Sequence, residues 1–470
     1  MPKSIFIGAT SSNAGKSWMA TAVCAWLRSK GLSVAPFKAQ NMSNHSFPCR
    51  GGGEIGRAQV VQAEACGIEP EPAMNPILLK PNGDGTSQVI VNGHVWQTMP
   101  ARGYYEHRDT LMQEVLDAYA TLARRFDAIV IEGAGSVSEL NLRAYDVVNL
   151  GLVTRIQAPW VLVSDIERGG VFGSILGTVG LLTAEERALF RGFMINKFHG
   201  DRTLFEDGVR ILEERSEAPC LGVFPYAEEI AIAAEDSLAV HTAARTAAPP
   251  GARIAIDKLP CLSNATDFRL LTWADWITAV PRDDYDFVIL PGTKHTLGDL
   301  EWLRARGLDA WIRGQHERGA TVIGICGGFQ MLGRTIKDPG RIESALEHAP
   351  GLGLLPADTV MAETKITRAV RGATMRGTRF TAYEIHLGIT RMEGGVAPFA
   401  TLEDGLDDGA CGERVIGTYL HGLLEEPAIC RELFGVDLEA TAAWNQRYYS
   451  LAAWFERHAC HLDALGFGVL

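Results

Sequence analysis

Short unbroken runs of apolar residues recur along the chain, and most are followed by a stretch with the periodicity of an amphipathic helix. Unbroken apolar strands are typical of parallel sheets that carry helices on both faces. In chain order the runs are SIFIGA, LSVAPF, FDAIVIEG, PWVLVSD, GFMINKF, RIAIDKL, FVILPG, TVIGIC and RVIGTYLHG. The alternation predicts an α/β fold with two tandem doubly wound parallel-sheet domains, whose ligand sites lie at the carboxyl ends of the strands.

One segment interrupts this alternation. Residues 241–252, HTAARTAAPPGA, are small, contain proline and show neither helical nor strand periodicity, so we interpret them as a linker. The first domain then covers residues 1–240 and the second residues 253–440. Residues 441–470, rich in Ala, Trp, Tyr and Leu, are predicted to form a helical tail that serves packing.

Composition and charge narrow the class of protein. Hydrophobic residues make up 47% and charged residues 21% of the 470 residues, as in an ordinary globular protein. The start MPKSIFIGAT lacks the apolar core of a signal peptide, and no apolar run is long enough to span a membrane. The net charge of −12 argues against general nucleic-acid binding, because phosphate backbones need a surplus of Lys and Arg. We expect neither nucleic-acid nor membrane partners.

The nine cysteines are scattered singly, with no CxxC pair and no zinc-finger spacing. This pattern predicts a reducing, cytoplasmic location and no structural metal site.

The first strand leads into the sequence GATSSNAGKS, Gly8–Ser17, and then directly into a predicted helix. A glycine loop between a strand and a helix points backbone N–H groups at a phosphate. The usual spacing would place the first glycine at position 10, where Thr10 stands, so this is a variant P-loop. Chance glycines in a strand–turn–helix are the alternative. We expect the nucleotide contacts to come from Gly8, Asn13, Gly15, Lys16 and Ser17.

Within this loop, Lys16 is predicted to neutralise the β- and γ-phosphates and Ser17 to bind Mg²⁺. A second metal ligand is predicted at Glu132, where the strand FDAIVI ends in EGAG, because a carboxylate there faces the phosphates. A lone glutamate at a strand end is otherwise usually solvated. Together, the loop and EGAG resemble the dethiobiotin synthetase-like enzymes, which implies that ATP activates a carboxylate as a phosphorylated intermediate.

A candidate nucleophile follows a buried strand in the second half. Cys326 is followed by two glycines and then a predicted helix, which is the elbow arrangement of a nucleophile on a tight strand-to-helix turn. The helix N-terminus favours a thiolate at this position. A structural role is the alternative for any buried cysteine, but the GICGG context favours catalysis.

His421 in GTYLHG is the candidate base, and the pair with Cys326 resembles the class I glutamine amidotransferases. The resemblance implies that backbone N–H groups at Gly292, Thr293 and Gly327 form an oxyanion hole. Most of that class carry a glutamate two residues after the histidine, whereas Leu423 stands here. We therefore expect a Cys–His dyad, with His421 oriented by a group that the sequence does not identify; Glu425 and Glu426 are too poorly placed for that role.

Further motifs spread over the chain resemble the cobyric acid synthase family. They are APFKAQNMSNHS, EIGRAQ, MNPILLKP, SQVIVNG, DIERGGVFGS, INKFHGD, LPGTKHT and YEIHLG. The sister family, the cobyrinic acid a,c-diamide synthases, shares the architecture but differs where AQNMSNHS stands.

The resemblance also implies roles for polar residues at strand ends. Lys38 is expected near the phosphates, Gln40 and Asn41 near the substrate, and Asp146 near the acyl phosphate. A structural role for Gln40 and a helix-capping role for Asp146 are the alternatives. Asp165 and Arg168 are expected to contact the substrate's carboxylates or the nucleotide.

The implied reaction is the glutamine- and ATP·Mg²⁺-dependent amidation of the b, d, e and g carboxylates of adenosylcobyrinic acid a,c-diamide to adenosylcobyric acid. Two alternatives stay open: a cobyrinic acid a,c-diamide synthase, and a P-loop partition-type ATPase or binding module. The sequence leaves the oligomeric state open.

Overall fold

The first domain is built on a six-stranded, wholly parallel sheet. The computed structural model describes residues 3–82, 85–227, 230, 248–344, 346–438 and 442–468. In spatial order the strands of this sheet are Cys220–Pro225, Phe190–Phe198, Trp160–Asp165, Lys3–Ala9, Ala128–Glu132 and Val34–Phe37.

Helices cover both faces of this sheet, which explains why its strands are apolar without alternation. They are Lys16–Ser29, Arg57–Cys66, Arg108–Ala123, Leu150–Ile156, Val171–Gly180, Ala184–Leu189 and Glu206–Ser216. Two hydrophobic cores result, one on each face, and the central strand Lys3–Ala9 contributes alternate residues to both: Phe6 to one, and Ile5 and Ile7 to the other.

Two small sheets extend the first domain. One has four strands, in the order Gln40–Met42, Ile77–Pro81, Thr86–Val91 and His94–Pro100, and it is followed by the short helix Ala101–Glu106. The other is a hairpin of Ser46–Pro48 with Glu54–Gly56. Both lie beyond the carboxyl end of strand Val34–Phe37, where ligand sites of open α/β sheets are found.

The second domain repeats the architecture. Its central sheet has the strand order Asp275–Ile277, Ile254–Asp257, Phe287–Leu290, Thr321–Ile325, Val415–Thr418 and Ala410–Gly412, of which the last is antiparallel. Its helices are Thr296–Ala305, Leu308–Glu317, Gly327–Leu332 and Pro427–Phe434. The predicted fold of two tandem parallel-sheet α/β domains is confirmed.

A second, largely antiparallel sheet flanks the elbow of the second domain. It contains the long pair Ala357–Thr374 and Arg379–Met392 together with Leu420–His421. Its shorter strands are Thr335–Lys337, His348–Pro350, Ala400–Leu402 and Asp407–Asp408. This sheet brings His421 opposite Tyr383.

The last described α-helix, Ala442–His458, packs against the first domain. Leu451 and Phe455 enter the core formed by strand Lys3–Ala9 and helix Lys16–Ser29. Of the predicted linker 241–252, residues 241–247 lie outside the described residues. No described helix has the length and apolar character needed to cross a membrane.

Candidate active sites

The predicted phosphate loop lies between strand Lys3–Ala9 and helix Lys16–Ser29. Gly15 has φ 100°, in the left-handed region, and a Cβ there would lie 2.0 Å from Nδ2 of Asn196. That amide in turn donates to the carbonyl of Ala14 at 2.9 Å. A glycine is therefore required at this position, both because of the positive φ and because a side chain would clash with Asn196.

Lys16 folds back across the loop. Its Nζ donates to the carbonyl oxygens of Ser11, at 3.2 Å, and Gly135, at 2.7 Å. The ammonium thus bridges the loop and the EGAG turn, the place where a triphosphate would lie. At the same loop, Asn13 is exposed with φ 62°, and Gly8 sits where a Cβ would lie 2.6 Å from Cγ1 of Val137.

Glu132 is only 1% exposed and is surrounded by donors. Its carboxylate accepts hydrogen bonds from the Ser17 hydroxyl at 2.7 Å, from Nζ of Lys38 at 2.9 Å and from the Gln62 amide. Burial raises the pKa of Glu132, but Lys38 and the hydrogen bonds outweigh it and hold the pKa below its ordinary value. Glu132 is therefore ionised at neutral pH.

The adjacent hydroxyl of Ser17 and carboxylate of Glu132 are hard oxygen donors of the kind that Mg²⁺ prefers, so these residues fit the metal predicted from the sequence. Mg²⁺ is ordinarily held by one or two protein ligands together with phosphate oxygens and water. Among the described residues, no group of three or more His, Cys, Asp or Glu could hold a metal by itself. Lys38, expected near the phosphates, forms its ion pair with this carboxylate.

A cavity of about 410 Å³ opens beside the phosphate loop. Its polar edge includes Ser12, Gly135 and Gln40, and Gln40 accepts a hydrogen bond from the Tyr104 hydroxyl at 2.5 Å. Its apolar and aromatic walls include Met42, Leu79, Val89, Met99, Tyr105 and Tyr145. A mostly apolar cavity with a few polar groups that ends at a phosphate loop can hold an organic substrate against ATP.

The other predicted substrate residues divide between this cavity and its surroundings. Asp146 lines the cavity, but its carboxylate also accepts the backbone N–H groups of Val148, Asn149 and Gly151 at 2.8–3.0 Å. It therefore holds the backbone that leads into helix Leu150–Ile156, although the N-cap of that helix is Asn149 and not Asp146.

Asn41, Asp165 and Arg168 are not among the cavity-lining residues. Asn41 is buried against Gln59, and Asp165 pairs with Lys197 at 3.0 Å. Arg168 is exposed. The described structure thus brings Gln40 and Asp146 to one cavity and leaves these three outside it.

In the second domain, Cys326 lies between strand Thr321–Ile325 and helix Gly327–Leu332 with φ 53° and ψ −109°. It is 6% exposed, and its Sγ lies 3.5 Å from the carbonyl oxygen of Ile385. A Cβ at Gly328 would lie 2.0 Å from the carbonyl oxygen of Leu290, so the turn closes only around glycine. The strained backbone of a nucleophile elbow is therefore present.

His421 is 1% exposed and faces two polar groups. Its Nδ1 lies 2.7 Å from Oδ2 of Asp267, and the ring also interacts electrostatically with Cys326. Its Nε2 has no hydrogen-bond partner among the described residues. Burial lowers the pKa of His421, but the Asp267 carboxylate and the thiol outweigh burial and raise the pKa to about 10. The second oxygen of Asp267 accepts the N–H of Gly422 at 2.9 Å, which fixes the carboxylate against the imidazole.

The predicted oxyanion residues surround this pair. A Cβ at Gly292 would lie 2.7 Å from Cε1 of His421, and a Cβ at Gly327 would lie 3.2 Å from the backbone N of Thr293. The structure thus places Gly292 against His421, and Gly327, which follows Cys326, against the backbone amide of Thr293.

Asp267 was missed by the sequence analysis, which left the partner of His421 unidentified. It comes from the 3-10 turn Ala265–Phe268, which lies 154 residues before His421, in a stretch without periodicity. Its one sequence signal is a carboxylate a short way past strand Ile254–Asp257, at the edge where ligand sites are expected. Glu425 is not the partner of His421, because its carboxylate pairs with Arg57 and Arg269.

Two family models match this chain. A CobQ/CobB/MinD/ParA nucleotide binding domain matches residues 5–240, and a CobB/CobQ-like glutamine amidotransferase domain matches residues 253–429. The first of these matches contains the phosphate loop, and the second contains Cys326.

Curated relatives match along nearly the whole chain. The cobyric acid synthase of Parabacteroides distasonis is 43% identical, covering 97% of this chain and 96% of its own length. That of Dehalococcoides mccartyi is 41% identical over 92% of this chain and 90% of its own. The solved structure of a glutamine amidotransferase aligns with 39% of this chain and with 99% of its own length, at 19% identity and a TM-score of 0.31. This likeness is too weak to add to the sequence matches.

Proposed function

This chain belongs to the cobyric acid synthase family, and from that premise we propose that it converts adenosylcobyrinic acid a,c-diamide into adenosylcobyric acid. It is an enzyme, a carbon–nitrogen ligase of cobalamin biosynthesis that takes its amide nitrogen from glutamine. Four carboxylates, b, d, e and g, are amidated. One observation carries the proposal: this chain of the family combines a phosphate loop with a buried site of Cys326, His421 and Asp267.

Glutamine is hydrolysed in the second domain. The Cys326 thiol gives its proton to His421 and its sulfur attacks the side-chain amide carbon, while the N–H groups of Thr293 and Gly327 stabilise the resulting oxyanion. His421 gives a proton to the departing nitrogen, so that the C–N bond breaks and ammonia leaves. Water then cleaves the thioester to glutamate while His421 takes back a proton.

Asp267 orients His421 for these steps. Its hydrogen bond to Nδ1 directs Nε2 toward the thiol, and its charge favours the imidazolium that hands over the proton. The site therefore works as a triad whose third member comes from a different segment than the glutamate usual in class I amidotransferases.

ATP activates the carboxylate in the first domain. Lys16 and the backbone N–H groups of the loop hold the transferred phosphoryl group and offset its charge. Ser17 and Glu132 would hold Mg²⁺, which supplies further neutralisation of phosphate charge. The cavity holding Gln40 and Asp146 orients the carboxylate toward the γ-phosphate. Ammonia then displaces phosphate to form the amide.

We also assign the enzyme to the cytoplasm. All nine cysteines are free and mostly buried, as expected in a reducing compartment.

A mass-resolved assay tests the proposal. With ATP, Mg²⁺ and glutamine, the a,c-diamide should gain four successive amide increments. Cobyrinic acid lacking the a and c amides serves as the control substrate. If that control gains the first two amides while the a,c-diamide is unchanged, the enzyme is a cobyrinic acid a,c-diamide synthase instead.

A further inference from the structure

Tyr383 lies against the imidazole of the glutaminase site, although it has no role in either half-reaction. It belongs to strand Arg379–Met392 and is the direct cross-strand partner of His421. The two rings are nearly parallel, with their centroids 5.4 Å apart and 21° between their planes. Tyr383 is 2% exposed, and a Cβ at Gly422 would lie 3.3 Å from its Cε1. The tyrosine ring therefore limits the movement of the imidazole on this side.

The strand that carries Tyr383 also meets the thiol. The carbonyl oxygen of Ile385 lies 3.5 Å from Sγ of Cys326, with Sγ as the donor. One strand thus contacts both the predicted nucleophile and the predicted base, through the backbone of Ile385 and the ring of Tyr383. The placement of this strand therefore affects the geometry of the Cys–His pair.

The hydroxyl of Tyr383 does not account for the contact. Its oxygen is buried and has no hydrogen-bond partner within the part of the chain that the structure describes. Burial and the nearby Asp267 carboxylate raise the pKa of Tyr383 well above its ordinary value, so the phenol stays protonated. The contact with His421 is therefore made by the aromatic ring.

Where the two domains meet, Tyr383 packs against Phe47 of the first domain. Phe47 lies in the hairpin strand Ser46–Pro48, and the two ring centroids are 4.9 Å apart at an angle of 59°. Aromatic pairs at this separation attract each other beyond the area that they bury. On its own domain, the guanidinium of Arg57 lies 5.1 Å from the centroid of Phe47. Phe47 is thus held by its own domain while it contacts Tyr383 of the other.

The same hairpin contacts the turn that carries Asp267. The backbone N–H of Ser46 donates to Oδ1 of Asn264 at 3.3 Å. Asn264 is the N-cap of the 3-10 turn Ala265–Phe268, which contains Asp267. This hydrogen bond gives the first domain a second contact with the glutaminase site, separate from the aromatic rings.

We propose that Tyr383, and through it Phe47 of the first domain, are positioning residues for His421, an inference that rests on the proposed glutamine hydrolysis. His421 takes a proton from Cys326 and gives one to the departing nitrogen, so its ring must keep one orientation through both steps. Asp267 fixes the edge of the ring at Nδ1, and Tyr383 supports its face. The two aromatic residues act on the reaction only through the imidazole.

Steady-state glutamine hydrolysis by the full-length enzyme tests this role. Tyr383→Leu should lower glutaminase kcat by about 10- to 100-fold with little change in KM for glutamine, because the base is misplaced and substrate binding is not. Tyr383→Phe, which keeps the ring, should retain the wild-type kcat. Ammonium-supported synthesis, which bypasses His421, should be unchanged and shows that each variant is folded. Tyr383→Met replaces Tyr383→Leu if that variant lacks ammonium-supported synthesis.

A loss of kcat in Tyr383→Phe as large as in Tyr383→Leu would show that the hydroxyl acts instead of the ring, and would overturn the proposal. An unchanged kcat in Tyr383→Leu would overturn it as well. If the wild-type enzyme releases no glutamate from glutamine, the proposed function fails first.

A double-mutant cycle tests the part of Phe47. Phe47→Leu should lower glutaminase kcat by about three- to tenfold, and this loss should disappear when Tyr383→Leu is already present, because Phe47 acts through that ring. Phe47→Tyr, which keeps an aromatic ring, should retain the wild-type kcat. Fully additive losses in the double variant would overturn the role of Phe47.

Lys365→Met is the matched control for the interface. The ion pair of Lys365 with Glu54 also joins the two domains and is also buried, with side chains 9% and 2% exposed, but neither residue belongs to the aromatic contact. Glutaminase kcat should fall less in this control than in Phe47→Leu. An equal loss would mean that any weakening of the interface disturbs the site, and would overturn the specific role of Phe47.

Discussion

The phosphate loop and the thiol elbow are built alike, since each is a tight turn between a buried parallel strand and a helix. They differ in which residue takes the left-handed backbone. In the loop two residues have a positive φ, Asn13 at 62° and Gly15 at 100°, and Lys16 begins an ordinary helix after them. In the elbow it is Cys326, the predicted nucleophile, at φ 53°. The strained backbone therefore lies beside Lys16 in the loop but at the predicted reacting residue in the elbow, where it costs about 1–3 kcal/mol.

The two sites also recruit partners differently. Lys16 and Ser17 find theirs at one strand end, Glu132 and Gly135. Cys326 depends on His421, which depends on Asp267, and these three come from separate parts of the second domain. The residues of the phosphate loop thus find their partners at a single strand end, whereas Cys326, His421 and Asp267 come together only in the folded second domain.

The largest effect is expected at the nucleophile. Cys326→Ser should lower glutamate release from glutamine by about 10⁴-fold or more, because the weaker serine nucleophile replaces a thiol in a site built for sulfur. Steady-state glutaminase assays measure this. Retention of a tenth or more of the wild-type rate would move the nucleophile elsewhere.

Lys16→Ala should reduce synthesis by about 10³-fold with either glutamine or ammonium as the nitrogen donor, since phosphoryl transfer loses its charge clamp. Glutamine hydrolysis measured in the same preparation is the control for folding of the second domain. Substantial ammonium-dependent product from this variant would contradict the loop assignment.

Asp267→Asn should lower glutamine-dependent turnover by about 10²-fold, because His421 loses its orienting charge. Asp267 raises the pKa of His421, to about 10, so its removal lowers that pKa. The protonated imidazole is present below its pKa and lost above it, so the alkaline limb of glutaminase kcat/KM should move to lower pH. An unchanged pH profile would exclude Asp267 as the positioning residue; ammonium-supported synthesis, which bypasses the triad, should not change.

The smallest effect is expected at Asp146. Its three backbone hydrogen bonds predict that Asp146→Ala costs about 1–2 kcal/mol of unfolding free energy, seen in denaturant titrations. Ammonium-supported kcat should fall by less than about tenfold. A loss as large as that of Lys16→Ala, at unchanged stability, would instead favour direct action on the acyl phosphate.

This difference between partners at one strand end and partners from separate segments explains which site residues could be predicted from the sequence. Glu132 and Cys326 lie at the ends of apolar strands, and Lys16 and Ser17 begin the helix that follows one. At this edge of a parallel sheet, position along the chain determines position in the site. Asp267 could not be found this way, because no periodicity marks its turn and its partner is 154 residues distant. The contact of Lys38 with Glu132 likewise depends on packing between strands, which the pattern of apolar residues does not specify.

We propose that two sites in one chain divide the reaction: one releases ammonia from glutamine and the other consumes it. The most direct measurement is mass-resolved synthesis by Cys326→Ser with the a,c-diamide and ATP, supplied with either glutamine or a high ammonium concentration. We predict no amide with glutamine and the full series of four amides with ammonium. If ammonium fails to restore synthesis in the folded variant, Cys326 acts in the ligase reaction itself and the division is wrong.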